Sequence, residues 1–376
     1  MSEVVVARAA VVTGLGPDLE TTWGMLLEGA SAVRPVGRFQ TGPYLARNAS
    51  WVDGLESTGG RSLLYPLLER LLEGFRPVPP DCRLLTATTK GCIDTLERAC
   101  TGLPFEAADI PIAGPVSWLT AKLGLRRPGV NINDACASSS VAVAHAAAAI
   151  ASGAADAALV VCMDLASEFV LSGFSALQAL DPAGARPFDR DRNGLSLGEG
   201  GAALLLMSAE RARQEKISPI GSVAGWGVAN DATHITAPAR DGCGLAQAVR
   251  EALAKAGIGP DDVAAVNAHG TGTVYNDQME LTAFETVFGG RTFPLNSVKG
   301  AIGHTMGAAG GIEAALGFRS LNDGVLPPTA GFREAPQGCR PSVSALPQPF
   351  AGRYLLSTNS GFGGINAALV LKRSAS

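Results

Sequence analysis

The chain has little charge, since only 17% of its 376 residues are Asp, Glu, Lys or Arg, against about 25% in an average globular protein. Its 30 basic and 34 acidic residues give a net charge of −4, and no stretch is rich in Lys and Arg. A basic nucleic-acid-binding surface is therefore not expected. Because 47% of the residues are apolar, the chain also falls outside the disordered class, which combines low hydrophobicity with high charge.

Cysteine pairs, long apolar runs and targeting signals are missing as well. The seven cysteines are odd in number and form no Cys-x-x-Cys pair, which argues against a disulfide framework or a zinc site. Polar residues interrupt the longest apolar stretch, 141–163, whereas a membrane span needs about 20 nearly unbroken apolar residues. Residues 1–6 lack the basic start of a secretory peptide. We therefore expect a cytoplasmic protein with reduced thiols and no metal.

Glycine is abundant, with 46 residues, and short β-branched runs alternate with segments of helical periodicity. This alternation predicts an α/β fold. The predicted strands are 4–13, 84–88, 157–161, 202–207, 220–228, 263–268, 354–357 and 367–371, and the predicted helices are 18–28, 62–75, 245–256 and 308–321.

A charged segment at 210–216 separates two parts of similar size and element order. Such similarity suggests an internal duplication. We place the N-terminal half at 1–216 and the C-terminal half at 217–376.

Cys136 is the first candidate for chemistry, because it lies between a strand-like segment and an alanine-rich helix. Backbone N–H groups and the helix dipole at a helix start stabilise a thiolate. The sequence therefore predicts an ionised nucleophile in the N-terminal half. Cys162 lies in an apolar run instead and is interpreted as a buried core residue.

His269 and His304 lie in glycine-rich turns, where ligands can approach the backbone closely. Both belong to the C-terminal half. The segment 361–364 either brings backbone N–H groups to a reacting carbonyl or forms only a tight turn. No sequence matches the phosphate-binding loop G-x-x-x-x-G-K-[ST], so a nucleotide cofactor is not indicated.

Taken in order, the motifs resemble those of elongating β-ketoacyl-acyl carrier protein synthases, which are condensing enzymes. The resemblance runs nearly end to end and implies the thiolase fold, in which duplicated α/β halves form αβαβα layers. The motifs that carry it are 11–16, 134–136, 186–194, 269–273, 299–310 and 361–366.

The resemblance implies a decarboxylative Claisen condensation in fatty acid, polyketide or polyene biosynthesis. Cys136 would accept an acyl group, and the backbone N–H groups of Cys136 and Phe362 would form the oxyanion hole. His269 and His304 would donate hydrogen bonds to the enolate formed when malonyl-acyl carrier protein loses CO2. The product would be a 3-oxoacyl-acyl carrier protein.

Four further residues acquire roles only through the resemblance. Lys299 would tune the electrostatics of the histidines, with Glu313 as its counter-charge. Thr271 and Thr273 would bind the pantetheine arm. No cofactor is expected, since the substrates arrive on the phosphopantetheine of the carrier protein.

The expected partners are an acyl carrier protein and a second ketosynthase-like subunit, in a homodimer or a heterodimer. Carrier proteins are acidic, so a local basic patch is expected despite the net negative charge. The candidate docking residues are Arg190, Arg192, Arg126 and Arg127, and a solvated charged turn is the alternative for each.

Two departures from the family pattern concern the acyl-binding region. The segment 44–115 is shorter than usual, and Ser360 stands where the family usually has an aromatic residue. We expect the gate formed by Ser360, Gly361 and Phe362 to be open and to admit bulky, conjugated or aryl-primed chains, as in type II polyketide or aryl polyene pathways.

Two rival functions stay open at this point. The chain could be a weakly active or non-catalytic partner resembling a chain-length factor, although such partners lose the cysteine that this chain keeps. It could also be a Cys/His hydrolase or acyltransferase that uses the same acyl-enzyme without condensation.

Overall fold

The computed structural model describes residues 2–374 and contains a duplicated α/β fold. The strands are β1 (Val4–Thr13), β2 (Val33–Pro35), β3 (Asn48–Ser50), β4 (Arg83–Ala87), β5 (Val130–Ile132), β6 (Ala157–Asp164), β7 (Leu197–Gly198), β8 (Gly200–Ser208), β9 (Gly221–Asn230), β10 (Val263–Asn267), β11 (Pro294–Asn296), β12 (Val325–Leu326), β13 (Ser342–Val343), β14 (Gln348–Pro349), β15 (Tyr354–Gly361) and β16 (Ile365–Arg373).

The helices are α1 (Leu19–Leu27), α2 (Leu64–Leu72), α3 (Ile93–Cys100), α4 (Gly114–Lys122), α5 (Ser138–Ala151), α6 (Glu168–Ala176), α7 (Ala209–Gln214), α8 (Cys243–Ala256), α9 (Val274–Phe288), α10 (Lys299–Ile302) and α11 (Ala309–Asp323). The four predicted helices correspond to α1, α2, α8 and α11, and the structure contains further helices between them. Asp18 caps α1 by accepting from the N–H of Thr21 at 2.7 Å, and α8 ends at Gly257 with φ +67°.

The two halves repeat one strand order. In the first half the order is β5-β4-β6-β8-β1, and in the second it is β11-β10-β15-β16-β9, with β13 added at the edge. In each half four strands run in one direction and one runs against them, β8 in the first half and β16 in the second. The halves join where β1 pairs with β9. The duplication expected from the sequence is therefore confirmed, while the 216/217 boundary, between α7 and β9, stays a prediction.

The strands of both halves form one 11-stranded sheet. The central helices α5 and α11 lie between its two halves and pack against each other and against strands of both. α2 covers the outer face of the first half of the sheet, and α8 covers the outer face of the second. This arrangement gives the αβαβα layers of the thiolase fold. A Cβ at Gly310 would overlap Ser140 on α5, and one at Gly311 would overlap Cys162 on β6, so glycine permits the close approach of α11 to both elements.

Cys136, the candidate nucleophile, lies just before one central helix. A short 3-10 turn, Ala135–Ala137, precedes α5, and an equivalent turn, Met306–Ala308, precedes α11. The two turns contact each other. Across residues 2–374, no helix combines the length and apolar character needed to cross a membrane.

Candidate active site

Cys136 is presented by a tight turn between β5 and α5. Ala135 has φ +49°, a conformation that costs energy in a residue with a Cβ. Ser138 stabilises the turn, because its hydroxyl accepts from the N–H of Asp134 at 2.9 Å and donates to the carbonyl of Ala135 at 2.5 Å. The side chain of Cys136 lines a cavity and is only 8% exposed.

Burial opposes ionisation of the Cys136 thiol. Burial raises its pKa to about 11, although the positive charges of Lys90 and Lys299 and the backbone N–H of Phe362 act in the opposite direction. This shift opposes the ionised thiol that the sequence predicts, because burial removes water from around the sulfur.

His269 and His304 meet edge to face beside Cys136. His269 follows β10 and His304 follows α10, and the centroids of their rings are 5.2 Å apart at an interplanar angle of 84°. A cavity of about 450 Å³ is lined by both imidazoles and by Cys136. The structure thus brings the three predicted residues, from two halves of the chain, to one cavity.

Both imidazoles line this cavity, and the hydrogen bonds at Nδ1 place the ring proton of each on Nε2. The Nδ1 atom of His269 accepts from Asn359 Nδ2 at 3.2 Å, and that of His304 accepts from the N–H of Met306 at 3.3 Å. Since each Nδ1 is an acceptor, the proton of the neutral ring lies on Nε2. Burial, together with the charge of Lys299, holds the pKa of each histidine well below its ordinary value.

Lys299 and Glu313 form a buried ion pair behind His269. The Lys299 ammonium donates to Glu313 Oε1 and to the backbone carbonyl of His269, each at 2.5 Å. Asn359 Nδ2 donates to Glu313 Oε2 at 2.7 Å, and Ser140 donates to Asn359 Oδ1. The network therefore links the ring of His269 to the helix that carries the nucleophile.

Gly361 brings the end of β15 close to the Cys136 amide. A Cβ at Gly361 would lie 3.1 Å from the Cys136 nitrogen, so a larger residue would crowd the proposed oxyanion hole. The Phe362 N–H opposes the rise in the pKa of the Cys136 thiol, and the Phe362 ring stacks on Phe174 with centroids 5.9 Å apart. The oxyanion role of the Cys136 and Phe362 N–H groups stays a prediction.

Ser360 belongs to a series of hydrogen bonds that joins the predicted gate to Asn366 and Asp231. Its hydroxyl donates to Asn366 Oδ1 at 2.7 Å, and Asn366 Nδ2 donates to Asp231 Oδ1 at 2.8 Å. Ser360 also lines the main cavity with Gly361 and Phe362. The serine therefore supplies a polar wall at this position, and the chain preference expected from it stays a prediction.

Thr271 and Thr273 line the same cavity, with their hydroxyl oxygens 2.9 Å apart. Toward solvent the lining continues to Val274 and Tyr275, which are exposed. The two threonines thus lie between the imidazoles and the cavity mouth. Their pantetheine-binding role stays a prediction.

The four arginines occupy different environments. Arg126 and Arg127 are exposed between α4 and β5, and Arg190 is about half exposed and pairs with Glu334 at 2.8 Å. Arg192 is buried, lies 3.7 Å from Asp277 and donates to the carbonyl of Asp189. Its selection as a docking residue is therefore wrong, because internal contacts use its guanidinium.

Three residues that contact or face the candidate site residues were not predicted from the sequence. Asn359 is a buried polar residue inside β15, which is itself a signal because Asn is disfavoured in strand interiors. Glu280 accepts from the N–H groups of His269 and Gly270 at 2.8 and 2.6 Å. Lys90 follows β4 and faces Cys136 from a second cavity.

Comparisons with known proteins agree on one family. The model "Beta-ketoacyl synthase, N-terminal domain" matches residues 99–212, and "Beta-ketoacyl synthase, C-terminal domain" matches residues 220–333. Nodulation protein E of Rhizobium sp. (strain N33) is 32% identical over 401 residues, covering 98% of this chain and 99% of the relative.

A second relative and a solved structure extend the comparison. The 3-oxoacyl-[acyl-carrier-protein] synthase 2 of Mycobacterium bovis (strain ATCC BAA-935 / AF2122/97) is 32% identical over 404 residues, covering 98% of this chain and 97% of the relative. The structure of the ishigamide ketosynthase/chain length factor superposes with a TM-score of 0.91 at 28% identity and covers 100% of both chains. Both alignments to relatives exceed the 376 residues of this chain, so the relatives contain insertions that it lacks.

The raised pKa of Cys136 predicts how the free protein reacts with iodoacetamide. Because the thiolate is the nucleophile, alkylation of Cys136 should accelerate about tenfold per pH unit from pH 7 to pH 10. Peptide mapping by mass spectrometry separates Cys136 from the exposed Cys100 and Cys243. A rate that levels off below about pH 8.5 would contradict the assigned protonation state.

Proposed function

Because the chain belongs to the β-ketoacyl synthase family, it is a condensing acyltransferase, and we propose that Cys136, His269 and His304 carry out its reaction. The reaction joins an acyl group to malonyl-acyl carrier protein with loss of CO2 and yields 3-oxoacyl-acyl carrier protein, in fatty acid or polyketide biosynthesis. One observation carries the assignment of residues. A single cavity presents a thiol and two neutral imidazoles with Nε2–H donors.

Acyl transfer comes first. The Cys136 sulfur attacks the thioester carbonyl of the acyl carrier protein, the new C–S bond forms, and the bond to the pantetheine sulfur breaks. The proton of the Cys136 thiol ends on the released pantetheine thiol. The N–H groups of Cys136 and Phe362 stabilise the oxyanion of the tetrahedral intermediate.

Decarboxylation then generates the carbon nucleophile. The malonyl carboxylate leaves as CO2, and the electron pair of the broken C–C bond forms an enolate on the thioester. His269 and His304 donate their Nε2–H groups to the enolate oxygen. Low pKa values suit this role, because the rings must donate a hydrogen bond without first being charged.

Condensation completes the cycle. The enolate carbon attacks the acyl-Cys136 carbonyl, a C–C bond forms and the C–S bond breaks. The thiolate that leaves takes up a proton and restores the resting thiol. Lys299 acts as a positioning residue, since it holds the backbone carbonyl of His269 while Glu313 neutralises its charge.

The carrier protein delivers its pantetheine arm through the cavity mouth. Thr271 and Thr273 line the route, and their hydroxyl groups suit the amides of the arm. Arg190 is three residues from Asn193, which lines the cavity, so it is placed to contact an acidic carrier protein near the mouth. Arg126 and Arg127 are a second exposed basic pair.

An apolar face provides the surface for a second ketosynthase-like subunit, in a homodimer or a heterodimer. It combines α3 and the loop after it with α6 and the edge strand β5. α3 and α6 adjoin here, because Glu97 accepts from the N–H of Phe169 at 2.6 Å. Exposed apolar surface and an open strand edge are features of interaction sites. The exposed side chains are Leu96, Leu103, Phe105, Ile110, Ile112, Val130, Phe169 and Leu177.

We place the enzyme in the cytoplasm. All seven cysteines are free, and the nucleophile Cys136 must be reduced to accept an acyl group. A reducing compartment meets that requirement.

Intact-mass spectrometry tests the two half-reactions directly. Incubation with acyl carrier protein should add the acyl mass to Cys136, and malonyl carrier protein should then discharge it as a 3-oxoacyl carrier. Cys136→Ala should gain no mass, whereas Cys100→Ala, which removes an exposed cysteine, should behave as wild type. Release of free acid would indicate the hydrolase, and an unmodified wild-type protein would indicate a non-catalytic partner subunit.

Removal of His304 should separate decarboxylation from acyl transfer. His304→Ala should slow CO2 release from malonyl carrier protein by about 100- to 1,000-fold, the usual loss for one oxyanion donor, and Cys136 should still be acylated. His145→Ala is the control, because His145 is exposed on α5. Undiminished CO2 release in His304→Ala would contradict the assigned role.

Asn359→Asp tests the tautomer of His269. The new carboxylate would replace an N–H donor with an acceptor at Nδ1, so the proton would move from Nε2 to Nδ1 and the pKa of the ring would rise. We expect decarboxylation to fall about 100-fold and its pH profile to shift, while acylation changes less. Asn322→Asp on the exposed face of α11 is the control. Equal losses in both half-reactions would assign Asn359 a purely structural role.

A further inference from the structure

A second cavity extends from Cys136 away from the first and contains a lysine. Its volume is about 290 Å³, and Cys136 and Phe362 line both cavities. Lys90 enters it from the loop after β4, beside Thr89 and Asn133. The rest of the wall is largely apolar and contains Phe169, Val170, Phe174, Leu177 and Met306.

The Lys90 ammonium has unused hydrogen-bonding capacity. It donates to Thr89 Oγ1 at 2.9 Å and contacts Met306 Sδ at 3.7 Å. Among residues 2–374, no Asp or Glu oxygen lies within 4.0 Å of it. Since an ammonium has three donors and no acceptor, at least one N–H can bind a further group.

The buried carboxylate of Asp164, which lies near Lys90, already accepts hydrogen bonds from three other residues. Asp164 accepts from Thr88 Oγ1 at 2.7 Å, from Thr89 Oγ1 at 2.9 Å and from the N–H of Gly307 at 2.8 Å. Lys90 reaches it only through the hydroxyl of Thr89. Lys90 is half-buried, so solvent is available to its free N–H groups until an acyl chain fills the cavity, and an oxygen acceptor on that chain can then replace the solvent.

We propose that Lys90 selects acyl groups that carry an oxygen acceptor, by donating a hydrogen bond to that oxygen inside the second cavity. The substrate class is an acyl chain with a keto or phenolic oxygen beyond the thioester, held with its carbon skeleton against Phe174 and Phe362. A plain saturated chain leaves the ammonium unsatisfied. This inference rests on the proposed acylation of Cys136.

Lys90 also acts on the sulfur, since its charge opposes the effect of burial on the pKa of Cys136. A lysine that served only the thiol would accelerate acylation by every acyl group to the same extent. A lysine that also binds substrate changes the ratio between acyl groups. The ratio therefore decides between the two roles.

Matched acyl-pantetheine thioesters provide the test. The pairs are hexanoyl against 4-oxohexanoyl and 5-oxohexanoyl, and cinnamoyl against 4-hydroxycinnamoyl. For at least one pair, kcat/KM for acylation of Cys136 should favour the oxygenated member about 10- to 100-fold, as expected for a charge-assisted hydrogen bond. Lys90→Met should remove most of that preference, and Lys90→Arg, which keeps the charge and the donors, should retain part of it.

Lys122→Met is the matched control, because Lys122 forms a surface pair with Glu69. It should keep the wild-type preference. The absence of any preference in the wild type, or an equal loss for both members of each pair in Lys90→Met, would overturn the proposal. In either case Cys136 is still acylated, so the proposed function stands. Failure of every thioester to acylate Cys136 would overturn both.

Discussion

The buried ion pair between Lys299 and Glu313 is the contact on which the active site depends. Each side chain is only 1% exposed, and losing one partner of such a pair typically costs about 3–5 kcal/mol because the other charge is left uncompensated. From this pair, hydrogen bonds lead to the backbone of His269 and to Asn359, and Asn359 continues to Ser140 on α5. These hydrogen bonds fix the relative positions of α10, α11, β15 and α5 around Cys136.

Burial has opposite effects on the two kinds of reacting group. It lowers the pKa of His269 and His304, which keeps the rings neutral and fit to donate hydrogen bonds. It raises the pKa of Cys136, which disfavours the thiolate. Lys299 and Lys90 add positive charge that opposes this rise while further disfavouring imidazolium. The two lysines therefore act on the thiol and the imidazoles in the directions that the chemistry requires.

Local sequence was enough to select three residues that the structure brings to one cavity. Cys136, His269 and His304 stand in short motifs beside strands and helix starts, and strand β1 and the end of α8 were predicted from periodicity and glycine. The protonation state of Cys136 was not predictable, because it depends on how completely distant segments exclude water. The prediction for Arg192 failed for the same reason. Its neighbour Asp277 is 85 positions further along the chain, and the two residues meet only in the folded protein.

The duplicated fold explains why the site lies where the halves meet. The turns before α5 and α11 each contain a residue with positive φ, Ala135 at +49° and Met306 at +51°. The first turn presents the Cys136 thiol, and the second presents the Met306 N–H that sets the tautomer of His304. Because the two turns contact each other, one half supplies the Cys136 thiol and the other orients the His304 ring. Neither half contains all three cavity residues, and neither could bury its central helix without the strands of the other half.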